Sequence, residues 1–375
     1  MAGRTVRFCA CLIALGLGAP GARAARVVDP AAARLAIENP VVTAQGAELA
    51  GFAASGRASE LAARLDRIAH DAKLVDVAQE WLLDRGLHAL ARLEPTREAR
   101  ATVARLSFRA PTVYGIVDPD HGRRATPLYD AGATARFVLR SWDREAARRR
   151  AESELAAGSF APVARFASRG EVGAADPVRE GIAEAFRAAK PTELAAQRAA
   201  IVDAIGAGRR VDELALVAAE RLTDRALYDL VVDNAEEPVA LAAIADASSA
   251  LDASSALAVL ARASRRAEIS SAAVLEIGRL ARNDGAAQQF LLAALADPGT
   301  APSAAAALGR LSEPALSAEI GRRLAVAPDE LSRRVFVLAL RLDPGPAARA
   351  ELERFALSGA GSPQLQKEVR QWLGR

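Results

Sequence analysis

Between Phe108 and Trp142 the chain gathers residues that can do chemistry: Tyr114, Asp118, Asp120, His121, Arg123, Arg124, Tyr129 and Trp142. Aromatic, histidine and arginine side chains carried on a loop are what binding sites use. Tyr114, His121, Arg123, Arg124 and Tyr129 are therefore the candidate binding residues, for a protein partner or a small ligand. Asp118-Pro119-Asp120-His121 also sets carboxylate oxygens beside an imidazole, donor types that suit a metal ion. The same Pro-Asp-His-Gly run is a turn sequence, and the turn is the reading adopted, with no metal assigned.

Elsewhere no catalytic constellation assembles. His70 and His88 lack the second histidine or carboxylate at i+4 that a helical zinc pair needs, and both are read as histidines packed within helices. There is no Gly-x-Ser-x-Gly elbow. Gly206-Ala207-Gly208 lacks the third glycine and the preceding strand of a dinucleotide loop, and it reads as a helix C-terminus, where glycine supplies the left-handed conformation. No catalytic residue and no cofactor is predicted.

Arg144, Arg148, Arg149 and Arg150 interleave with Asp143, Glu145, Glu152 and Glu154. Glu145 to Arg149 and Arg148 to Glu152 are i, i+4 pairs of opposite sign, the pattern of a solvated helix face. An anionic partner, such as a membrane or peptidoglycan, is the competing reading.

The elements that must hold these residues begin with a leader. Arg4 and Arg7 precede an apolar run from Phe8 to Leu17, and small residues end in Ala22-Arg23-Ala24. This is the pattern of a Sec-type signal, with cleavage expected after Ala24 and a periplasmic or secreted location. The leader holds both cysteines, Cys9 and Cys11, and three of the 49 basic residues, which leaves 46 against 46 acidic ones. With that balance the basic surplus of a nucleic-acid binder is missing, and without cysteine neither disulfides nor thiolate metal sites can form.

The remaining chain is apolar in an unusual way: 51% hydrophobic overall but 4% aromatic, so its core is Ala, Leu and Val. Such a composition favours helices packed through small side chains, and no strand is predicted. Residues 25–57, with Pro30, Pro40, Gly46, Gly51 and Gly56, read as an extended leader. Helical periodicity starts at Ser59, with Leu61, Leu65 and Ile68, then Leu74, Val77, Ala78, Trp81 and Leu82 on single faces. A further helix is expected over Thr96–Leu106, then a long loop at 107–128, then helix from about Gly132 to Ala157. Thr126 is expected to cap that last helix, and a domain boundary is placed near residue 175.

The second half repeats. Glu276-Ile277-Gly278-Arg279-Leu280, Ala307-Leu308-Gly309-Arg310-Leu311 and Leu338-Ala339-Leu340-Arg341-Leu342 follow at a step of 31 residues. Ala263, Ala294, Ala325 and Ala356 keep the same step. Asn283-Asp284-Gly285, Asp297-Pro298-Gly299, Glu313-Pro314, Ala327-Pro328-Asp329 and Asp343-Pro344-Gly345 separate the apolar runs. Helices this short are marginal alone, so each pair must bury its face on the next.

Residues 178–375 resemble the HEAT-like α-solenoids, in particular the short repeats of the phycobilisome-lyase type, through the Ala-Leu-Gly-Arg-Leu that closes a unit's first helix. The resemblance implies an all-α scaffold that binds proteins along one face, with no catalytic residues. The last helix, Pro363 to Leu373, is amphipathic, as a terminal cap requires. The expected function is an exported, non-catalytic repeat scaffold for a protein partner. The alternatives are a ligand-binding or enzymatic module at 108–142 and an envelope structural protein.

Overall fold

The computed structural model describes residues 26–117, 124–169 and 176–374, with the side chains of Val117 and Arg124 left out. The signal segment lies outside that range. The chain divides into two compact units, Met1–Trp142 and Asp143–Arg375.

In the first unit, residues 25–57 are helical rather than extended: α1 spans Pro30–Ile37 and α2 spans Pro40–Ala54. The prolines read as breakers occupy the first helical turn, where their missing N–H would be unpaired anyway. Asp29 accepts the Ala31 N–H at 2.7 Å and Asn39 accepts that of Val41 at 2.9 Å, so each proline follows a working cap. Gly46 is a packing device. A Cβ there would stand 3.2 Å from the Trp81 ring, on the helix against which α2 lies.

Three further helices follow the expected periodicity: α3 (Ala58–Ala69), α4 (Asp76–Leu90) and α5 (Arg97–Leu106). Leu61, Leu65, Ile68, Leu82, Leu83, Leu87, Leu90, Val103 and Trp142 form their common core. The expected long loop contains strands instead. β1 (Arg26–Val27) pairs in parallel with β2 (Val113–Val117), which pairs antiparallel with β3 (Arg124–Pro127), in the order β1-β2-β3. The β-branched Val113, Ile116 and Val117 suit such a ribbon once neighbours satisfy its backbone. Thr126 therefore sits in a strand and caps nothing. Asp130 caps the next helix, accepting the Ala133 N–H at 2.7 Å.

That helix, α6 (Ala131–Ala156), contains the division between the units. The division precedes the expected junction near residue 175 because Leu155, Val163 and Phe166 share one core with Ile182 and Phe186. The second unit continues with α7 (Ala161–Ser168), α8 (Pro177–Ala188), α9 (Pro191–Gly206), α10 (Asp212–Leu222), α11 (Arg225–Asn234), α12 (Glu237–Ala250) and α13 (Ala253–Ala263). It ends with α14 (Ser270–Leu280), α15 (Gly285–Ala294), α16 (Ala301–Gly309), α17 (Pro314–Ala325), α18 (Glu330–Leu342), α19 (Pro346–Ser358) and α20 (Pro363–Leu373). As read, α9 ends at Gly206, with Gly208 left-handed.

These helices form an all-α solenoid in two layers. One layer runs through α8, α10, α12, α14, α16 and α18, each packed on the next, and the alternate helices pack behind it. The Gly-Arg of the repeat explains the close approach. A Cβ on Gly278 would stand 2.7 Å from that of Ala307, and one on Gly309 would stand 2.6 Å from that of Leu342. Only a missing side chain lets the first-layer helices come this near. Leu340 takes the glycine's place in α18, the last helix of that layer.

Three arginines at different positions of the repeat add hydrogen bonds between neighbouring helices. Arg221 donates to the Ala189 carbonyl at 3.2 Å, Arg266 to those of Val232 and Ala235 at 2.8 and 2.9 Å, and Arg323 to that of Leu292 at 2.9 Å. Each guanidinium thus reaches back to carbonyls near a helix C-terminus of the preceding unit, where positive charge is favoured.

Candidate functional site

Of the predicted loop site, only Tyr114 and Tyr129 are described with their side chains. His121 and Arg123, with Asp118 and Asp120, lie outside the described residues, and Arg124 is described only as a strand residue opposite Val117. Tyr114 and Tyr129 are described and fall on opposite sides of the sheet. Val113 packs with Leu128 and Tyr129, and strand alternation turns Tyr114 the other way. Burial, with the Asp84 carboxylate nearby, pushes the Tyr129 phenol above its usual value.

His70 and His88 are exposed, not packed inside. Each Nδ1 lies against the carbonyl four residues back, that of Asp66 at 2.7 Å and that of Asp84 at 2.9 Å. Among the described residues no group of three His, Cys, Asp or Glu side chains could hold a metal ion.

The arginine-rich stretch of α6 is matched by its own acids. Arg148 is held by Glu145 at 2.6 Å and Glu152 at 2.5 Å, and Arg150 by Glu154 at 3.0 Å. Arg165 from α7 also closes on Glu154, and Arg144 faces Glu184 at 3.7 Å. The Arg148 hydrogen bonds hold the Glu145 carboxyl below the usual carboxylate range, and those of Arg165 do the same for Glu154. Such a helix offers little uncompensated charge to an anionic surface.

A different arrangement appears on the repeats. Arg279 near the end of α14, Arg310 directly after α16 and Arg341 near the end of α18 are exposed, on helices that neighbour one another. Helices packed this closely are about 8–10 Å apart, so the arginines form a row with that spacing. Glu276 pairs with Arg279 at 2.8 Å but leaves it largely exposed. Arg310 has no ion-pair partner among the described residues. Arg341 lies 4.1 Å above the Trp372 ring, where α20 orders its side chain without neutralising it. Each glycine faces the neighbouring helix and the arginine after it faces solvent.

One polar cluster escaped sequence reasoning altogether. Glu80, fully buried on α4, receives the Arg109 Nε–H at 2.8 Å, and Arg109 also donates to Gln79 Oε1 at 2.7 Å. Gln79 in turn donates to the Ile68 carbonyl at the end of α3, at 2.7 Å. One turn along α4, Asp84 accepts the Thr134 hydroxyl at 2.6 Å. The signal was present: Gln79-Glu80 interrupts the apolar run Val77, Ala78, Trp81, Leu82. The cluster ties α3, α4 and the approach to β2 together, which is positioning work rather than catalysis.

Comparisons of the chain with protein-family models, with curated proteins and with solved structures gave no significant match. Among the described residues no helix is long and apolar enough to cross a membrane.

Proposed function

We propose that this chain is an exported, non-catalytic scaffold of HEAT-like short repeats, related in type to those of phycobilisome lyases, that holds another protein on its repeat face. The observation that carries the reading is the row of Arg279, Arg310 and Arg341, exposed once per repeat on adjoining helices. A row of cations on a rigid frame suits a partner segment bearing carboxylates, because guanidinium and carboxylate match in charge and in two-pronged geometry. Spacing of about 8–10 Å corresponds to roughly three residues of an extended chain.

The experiment has two arms. Export is tested by expressing the chain with its leader and sequencing the N-terminus of the envelope fraction; a chain that begins at Ala25 supports it, and full-length protein confined to the cytosol overturns it. Partner binding is tested by capture from envelope extracts with the wild type and with R279E/R310E. A protein held by the wild type and lost from the variant supports the assignment of the face. Equal recovery by both places the partner elsewhere.

A further inference from the structure

The first unit contains a groove of about 380 Å³ between α2 and α4, whose two sides differ in chemistry. Leu49, Ala50 and Ala53 from α2, with Ala89 from α4, supply an apolar floor. Arg85, His88 and Arg92 line the other side, at positions i, i+3 and i+7, on one face of α4 and the turn that follows it. The volume lies at the lower end of the range for small-molecule sites.

Neither guanidinium on that side has a carboxylate partner among the described residues. In the same unit Arg64 pairs with Glu48 at 2.9 Å, Arg105 with Asp66 at 2.9 Å and Arg109 with Glu80 at 2.8 Å. Arg85 has only the Trp81 ring, 5.4 Å from its guanidinium, and Arg92 has no ion-pair partner among the described residues. His88 shares Asp84 at 3.6 Å. Two uncompensated guanidinium groups thus stand beside an apolar trough. The side that would meet a hydrocarbon carries no charge, and no acid lines the groove.

We infer that this groove binds a free anionic amphiphile, a medium-length acyl chain ending in a carboxylate. The chain lies along Leu49, Ala50, Ala53 and Ala89, and the head sits between Arg85 and Arg92. Transfer of the tail from water drives association, and the guanidinium groups select the head. The site is independent of the repeat face, since it lies wholly in the first unit.

The test is calorimetric titration of the chain lacking its leader with decanoate, decanol and decyltrimethylammonium, each below its micellar concentration. Saturable 1:1 binding of decanoate, at least tenfold tighter than that of decanol and with no binding of the cation, is the expected result. R85Q/R92Q should remove the preference for decanoate, and Ala50→Phe, at an exposed position of the floor, should abolish binding of both ligands. Circular dichroism melts matching the wild type show that each variant is folded. Equal affinity for decanol, retention of binding in Ala50→Phe, no binding of decanoate, or association with anionic vesicles alone would each overturn the inference.

Discussion

The two units place their long-range polar ties in opposite ways. In the first, one non-repeating cluster centred on Glu80 and Arg109 joins α3, α4 and the lead into the sheet. In the second, arginine-to-carbonyl bonds recur along the solenoid, from Arg221, Arg266 and Arg323. A repeated bond can be lost once at small cost, because each joins a unit only to its neighbour. A single buried pair cannot, because removing one member leaves a charge without compensation.

The sharpest way to break this contrast is Arg109→Ala. It strands the Glu80 carboxylate and is expected to cost the first unit about 3–5 kcal/mol. Urea unfolding followed by Trp81 and Trp142 fluorescence in a Trp372→Phe background reads that unit, and E80Q/R109A should recover part of the loss. If R109A costs no more than a surface substitution, the pair is not an anchor. Gly309→Val comes next: its Cβ would stand 2.6 Å from the Leu342 Cβ and 2.9 Å from the carbonyl carbon. Overpacking of this kind costs about 1–3 kcal/mol, and thermal melts in which G309V matched the wild type would refute the close approach of α16 and α18.

Arg323→Ala should cost less, about 1 kcal/mol, and amide exchange should quicken in α15 and α17 while α9 to α11 stay unchanged. Exchange quickened equally throughout the second unit would count against nearest-neighbour coupling. The smallest effect concerns Asp224, which caps α11 through Ala226 N–H at 2.9 Å and holds Arg198 at 2.5 Å. Burial pushes its carboxyl up, but the hydrogen bonds from Arg198 and from the Leu227 and Ala226 amides outweigh it and leave the group below its usual value. A depressed carboxyl stabilises the fold above its unfolded value of about 3.9 and loses that contribution as pH falls through the folded value. Asp224→Ala should therefore cost about 1 kcal/mol at pH 7 and progressively less below pH ~4, as chemical denaturation at each pH would show.

The repeats were legible because their pattern is local. Apolar spacing, acids that cap and an in-register Gly-Arg-Leu all lie within one step of 31 residues. Asp284 and Asp329, two of the acids between the apolar runs, cap α15 and α18, and Pro314 opens α17. Pro298 does not open a helix and sits in the turn before α16. The first unit was less legible. Pro30, Pro40 and Gly46 carry the same letters whether they break a helix or start and pack one, and the difference rests on Asp29, Asn39 and Trp81. The β2–β3 ribbon, the Glu80–Arg109 pair across 29 residues and the α2/α4 groove all depend on which distant segments meet. Periodicity carries no such information. The candidate loop residues illustrate this, since Tyr114 and Tyr129 are near in sequence yet part at the sheet.

The hydrogen bonds that reach back one unit have a mechanical consequence. Where Arg221, Arg266 and Arg323 tie a helix to one about a repeat earlier, tension on the chain ends is expected to load these ties one after another rather than sharing the load as a sheet would. A released unit of 31 residues extends to about 100 Å, against the roughly 10 Å that separates packed helices. Under load the second unit is thus expected to lengthen in steps of about that size.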